Sequence, residues 1–145
     1  MTPDVNVLVA AFRRDHAHHL AAKSWLAESL AGSGPGAPLR LLPPVVAGFL
    51  RIVTNTRVFV QADNIENAVA FIDALLGAPD VEITVVGEEW PHLRRLCLDG
   101  KLAGNAVPDA WLAAAVVQQG EHLVTFDAGF RKLLKRAQVT LLPTS

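Results

Sequence analysis

Cysteine is almost missing from this chain of 145 residues: Cys97 stands alone, so no internal disulfide can form. No uninterrupted apolar run is long enough to cross a bilayer, which excludes a helical membrane span. The opening stretch, MTPDVNVLVAAF, has no basic segment ahead of its apolar one and carries Asp4 before it, unlike a secretory leader. Together these absences fit a cytoplasmic protein in a reducing compartment, with no membrane partner. Net charge is nearly absent too, at −1, so no global field draws the chain to nucleic acid. A nucleic-acid partner would need local clusters of Lys and Arg. No internal repeat, low-complexity tract or composition break divides the chain, and residues 1–145 read as one domain.

Apolar residues, by contrast, make up half of the chain. That suffices for a full core and for a surface that meets a protein partner. Helical spacing or caps mark residues 6–14 (cap Asn6), 15–32 (cap Asp15) and 43–55, with proline in the first turn. They also mark 63–77, with an Asp63-x-x-Glu66 capping box, then 88–100 and 107–120. Extended runs lie at 1–3, 39–42, 81–86, 122–126 and 139–143, with a short helix at 127–136. GSGPGAP at 32–38 is a loop, and 56–62 is extended or loop. The first strand is so short that a true start upstream of Met1 is one explanation. Strands separated by helices imply an α/β domain in three layers, a central parallel β-sheet flanked by helices.

In such sheets, ligands gather at the carboxyl ends of the strands. Asp4 follows the first strand and Asp127 follows HLVTF, so parallel strands bring both to one edge. Asp109, in the first turn of its helix, reaches that edge as well. Each has an ordinary explanation alone: an Asx turn for Asp4, a favourable charge at a helix start for Asp109, an N-cap for Asp127. Together they would repel one another unless a cation lay between them. Carboxylate oxygens are the ligand type for Mg²⁺ or Mn²⁺.

The segments DVN from Asp4, GNAVPDAWLAA around Asp109 and VTFDAGF around Asp127 resemble the PIN domain. More closely, they resemble the VapC-type ribonuclease toxins of bacterial toxin–antitoxin modules. GFLRIVTN at 48–55, followed by Arg57 and Phe59, is similar to a stretch in one branch of those toxins. The order of elements matches over essentially the whole chain. The resemblance implies a PIN-like domain acting as a Mg²⁺-dependent (or Mn²⁺-dependent) endoribonuclease on RNA, tRNA or rRNA. It implies a cognate VapB-type antitoxin and a homodimer. It implies Asp4, Asp109 and Asp127 as catalytic, metal-holding acids, with Asn6 and Thr125 as supporting polar residues. One family feature is missing: a glutamate in the helix after the second strand. The helix at 43–55 has no acid, and Gly48 stands about where it would be. Glu66, Glu88 and Glu89 read as first-turn residues of other helices. The alternative reading is a PIN fold with weakened metal chemistry that binds RNA or protein without cutting.

Arg13, Arg14, Arg51, Arg57, Arg131, Lys132, Lys135 and Arg136 are candidates for gripping phosphate, against a solvated helix face for most of them. Arg51, in an otherwise apolar helix, and Arg131 and Lys132, just after Asp127, are the RNA contacts of choice. His16 and His19 in DHAHH could share a helix face, but no further ligand has zinc-site spacing, so a surface helix is expected. Cys97, between Leu96 and Leu98, is expected to be a buried small hydrophobe. Trp111, Leu112 and Val116 leave the 107–120 helix apolar nearly all round, as a core helix or a dimer contact.

Overall fold

The computed structural model describes residues 1–32 and 38–144. β1 (Thr2–Pro3) leads straight into α1 (Val5–Phe12). Asp4 makes the junction: its backbone is extended, and its Oδ1 accepts the Val5 amide at 2.7 Å. The cap is therefore Asp4 and not Asn6, which lies inside the first helical turn. α1 is rich in valine, a weak helix former because of its stiff χ1. Val7, Leu8, Val9 and Ala10 are all buried, so packing holds this helix rather than propensity.

α2 (His19–Gly32) begins at His19 rather than after Asp15, because Arg13 holds the Asp15 carboxylate outside the helix. β2 (Leu39–Leu41), α3 (Pro43–Val53) and α4 (Ile65–Leu76) follow. The α4 cap is Asn64, whose Oδ1 accepts the Asn67 amide at 2.8 Å. Asp63 is drawn instead to Arg13 at 2.8 Å. Then come β3 (Val81–Ile83), α5 (Trp90–Gly100), α6 (Ala106–Gln119) and β4 (Leu123–Thr125). Two 3-10 turns (Ala128–Lys132 and Arg136–Gln138) replace the expected helix at 127–136 before β5 (Val139–Leu141). The glycine-rich loop expected around 32–38 falls mostly outside the described residues. No helix among the described residues is long and apolar enough to cross a membrane.

All strand pairs among the described residues are parallel: β1 with β4, β4 with β5, and β2 with β3. The β2–β3 ribbon joins the other three strands through the Arg40 amide, which donates to the Met1 carbonyl at 3.0 Å. The resulting order is β3–β2–β1–β4–β5, a central parallel sheet flanked by helices. The chain runs outward from β1 to β3, then returns past β1 to β4. That reversal between β1 and β4 opens a crevice at the carboxyl ends of the two strands. Under the sheet, Phe12, Phe49 and Phe71 meet in tilted and edge-on contacts with centroids 5.2 to 5.4 Å apart. Leu112 and Val116 are buried, so that side of α6 is core. Cys97 is only half buried, because α5 lies on the outside and buries no residue fully.

Candidate active site

The β1–β4 register pairs Pro3 with Val124, which brings Asp4 level with Thr125. The Asp4 amide donates to the Val124 carbonyl at 2.8 Å, and the Thr125 hydroxyl donates to Asp4 Oδ2 at 2.7 Å. Both oxygens of this buried carboxylate are thus fixed, one by the helix start and one by the neighbouring strand. Thr125 Oγ1 also accepts from Asn6 Nδ2 at 3.2 Å and from the Asp127 amide at 3.0 Å. Asn6 Oδ1 accepts the Phe126 amide at 3.3 Å. Asp127 caps the first 3-10 turn, its Oδ1 accepting the Gly129 amide at 2.8 Å. Asp109 comes from the first turn of α6, and no hydrogen bond reaches its carboxylate among the described residues.

The electrostatics tie the acids together. Burial pushes the Asp4 carboxyl above the ordinary carboxylate range. The bonds from Thr125 and Val5 pull it back, and the charges of Asp109 and Asp127 raise it again. Asp109 is raised by its own burial and then by Asp127. All three line one groove of about 1000 Å³, whose walls are mostly apolar: Val9, Pro43, Pro44, Ile52, Phe59 and Val86 among them. Their oxygens suit a hard divalent cation, and their mutual repulsion is what such a cation would relieve. Among the described residues, however, no three His, Cys, Asp or Glu side chains close into a ready-made coordination cluster. A cation here would reach some of these acids through water, as Mg²⁺ commonly does.

Arg51 is exposed and lines the same groove. Arg131 and Lys132 are exposed on the 3-10 turn but do not line it; Arg131 borders a separate depression beside β5 with Arg136. Arg13 is not available to phosphate. Only 8% exposed, it binds Asp15 at 2.7 Å, Asp63 at 2.8 Å and the Gln61 carbonyl at 2.8 Å. Its Cζ also lies 4.0 Å from the centroid of the Phe59 ring. Glu89 stands at the N-cap position of α5 but makes no side-chain capping bond: its Oε1 accepts Trp111 Nε1 at 2.8 Å and its Oε2 the Gly87 amide at 2.8 Å. No acid replaces the family glutamate on α3. A Cβ at Gly48 would sit 2.9 Å from Val5 Cγ2, so α3 meets α1 at glycine distance.

Sequence reasoning missed three groove residues: His16, Phe59 and Trp111. His16 and His19 do not share a helix face. His16 lies in the turn before α2, where its Nδ1 accepts the His18 amide at 3.0 Å. His19 begins α2, and its Nδ1 meets the Ala10 carbonyl at 2.8 Å. Burial, then the neighbouring His18, hold His16 below the ordinary histidine value, against Asp15. Trp111, two residues past Asp109, was the legible one of the three.

Fold and site define an α/β domain with an acidic groove at the switch point of a parallel sheet. Residues 1–135 match the PIN domain family, and the chain belongs to it. It is 39% identical over 130 residues to Ribonuclease VapC43 of Mycobacterium tuberculosis, covering 89% of this chain and 86% of that relative. It is 35% identical over 130 residues to Ribonuclease VapC25 of the same organism, covering 89% of each. Among solved structures, VapBC2 from Rickettsia felis, bound to a DNA fragment from its promoter, shares the fold with a TM-score of 0.68 at 15% identity over 98% of both chains. VapBC-1 from nontypeable Haemophilus influenzae does so with a TM-score of 0.64 at 17% identity, over 97% of this chain and 96% of that one.

Proposed function

We propose that the protein is a Mg²⁺-dependent (or Mn²⁺-dependent) endoribonuclease and the toxin of a toxin–antitoxin module. The observation that carries this reading is one groove lined by Asp4, Asp109 and Asp127, in which burial and the neighbouring carboxylates raise the proton affinity of Asp4 and Asp109. The ribonuclease names of the curated relatives support it. A bound divalent cation supplies charge neutralisation at the scissile phosphate and lowers the pKa of an attacking water. The chain's own part is positioning. Thr125 and the Val5 amide fix Asp4, Asn6 braces Thr125, and the Gly129 amide fixes Asp127. Arg51 is the cation within the groove for RNA phosphate. Arg131 and Lys132 would touch RNA only where it runs past the groove.

The apolar walls suit a segment of a VapB-type antitoxin laid across the site. The apolar side chains Trp90 and Leu98 of α5, 64% and 59% exposed, suit a homodimer contact. A cytoplasmic protein is the matching setting. Cleavage of tRNA and rRNA with Mg²⁺, and its loss in EDTA, is the expected result. Asp4→Asn should lower the rate by at least about 100-fold while circular dichroism stays unchanged, because it removes a held charge at the reacting centre. Full activity in that folded variant overturns the reading. The second reading, an RNA-binding module that does not cut, is favoured by the closed α1–α3 contact at Gly48. Tight RNA binding without cleavage in any divalent cation would select it.

A further inference from the structure

Three rings run in series from the acids' own strand to the groove. Phe126, between Thr125 and Asp127, stacks on His18 with centroids 4.9 Å apart and planes 28° from parallel. His18 meets His16 at 5.6 Å and 56°. His16 lines the groove together with Phe59. We propose that His16 is a base-contacting residue, its ring receiving one unstacked base of an RNA held at the acids. This rests on the RNA-cleaving reading above and names what that groove grips besides phosphate.

The ring is fixed from behind. The His18 amide donates to His16 Nδ1 at 3.0 Å, and the His16 amide donates to the Arg13 carbonyl at 3.1 Å. Arg13, anchored to Asp15 and Asp63, also covers one face of Phe59. Arg13 thus braces both aromatic groove residues, His16 through its backbone carbonyl and Phe59 through its guanidinium. A ring nitrogen that accepts an amide carries no proton, so the neutral form of His16 has its proton on Nε2. Burial favours that neutral form. A neutral ring in the groove that also holds the three acids forms no ion pair with them. It stays available as a stacking surface, and stacking tolerates any base.

Two substitutions separate the ring from its turn. His16→Asn removes the ring but keeps an acceptor for the His18 amide in an Asx turn. His16→Phe keeps a ring and loses the acceptor. The probe is a fluorescein-labelled single-stranded RNA of mixed sequence, bound in Ca²⁺ in place of Mg²⁺ and cut in Mg²⁺. His16→Asn should weaken binding about tenfold and raise KM alike with kcat little changed, the scale of one lost stacked base. His16→Phe should stay within about threefold of the wild type, with thermal midpoints of both variants near the wild-type value. Placing an abasic nucleotide at successive positions beside the cut should erase the His16→Asn penalty at one position. Wild-type binding by His16→Asn, or an equal loss in both variants, overturns the inference. Cleavage with an unchanged His16→Asn KM sinks it while leaving the ribonuclease reading intact. RNA bound but never cut, with the Asn and Phe variants still separated, sustains the base contact and sinks the ribonuclease. RNA that does not bind at all overturns both.

Discussion

Gly48→Ala is the sharpest probe of the α1–α3 contact. In the interior of α3, alanine should stabilise the helix over glycine by about 1 kcal/mol. Here, however, the new methyl would stand 2.9 Å from Val5 Cγ2. Val5 cannot easily turn away, because a β-branched side chain in a helix has one strongly preferred rotamer. Forcing a methyl into such packing costs about 1–3 kcal/mol. The net expectation is a loss of about 0–2 kcal/mol from these two opposing contributions. In a Val5→Ala background the opposing methyls are gone, and Gly48→Ala should gain about 1 kcal/mol. The sign reverses, and the coupling energy of the cycle is about 1–3 kcal/mol. Urea unfolding of the four proteins, followed by circular dichroism, reads this directly. A Gly48→Ala effect of the same sign and size in both backgrounds refutes the steric account. A glutamate at position 48 carries the same Cβ. If the cycle behaves as described, the missing family acid is excluded by Val5 packing, and restoring it requires changing both residues.

Two further outcomes follow from the charges. Asp109 has its proton affinity raised in the folded state, so its contribution to stability is present below the ordinary carboxylate value and lost as pH rises through the raised one. In EDTA, Asp109→Asn should therefore melt higher than the wild type at neutral pH, with the difference shrinking toward pH about 4; a lower melting point at neutral pH counts against the repulsion. Arg13→Leu should cost about 2–3 kcal/mol in urea unfolding, because it strips the cation from Asp63 and leaves the Gln61 carbonyl without its donor. A loss under about 0.5 kcal/mol would make the cluster a mere surface ion pair.

The parallel α/β architecture and the three acids were legible because they depend on order and period, which a sequence displays. The caps were less so. Asp4 and Asn6 are equally good capping residues, and only the β1–β4 register decides that Asp4 caps while Asn6 reaches Thr125 across 119 positions. Arg13 was misread as a phosphate contact for a similar reason. Its partner Asp63 lies 50 positions away, and nothing local marks an arginine as buried. The DHAHH segment carries helical spacing. Yet the Asp15–Arg13 bond pulls its first residues out of α2 and turns His16 toward the groove. Strands of two or three residues hold a sheet together here because tertiary packing, not strand propensity, sustains them.

The cap bond at Asp4 also bears on its charge. A carboxylate buried to 7% exposure would ordinarily bind a proton and lose its charge. The helix-start amide and the Thr125 hydroxyl oppose this, since both bonds favour the ionised form. The capping bond that starts α1 therefore also keeps Asp4 able to hold a cation. Thr125 does the same from the neighbouring strand, while its Oγ1 receives the Asp127 amide. Two of the three acids are thus fixed relative to each other through one hydroxyl at the end of β4. Among the described residues no hydrogen bond tethers the third, Asp109, so it would be the acid to adjust if the proposed cation or RNA phosphate bound. Two fixed acids and one untethered acid leave the groove open, with no closed coordination cluster among the described residues, and a cation bound as proposed would have to draw Asp109 in.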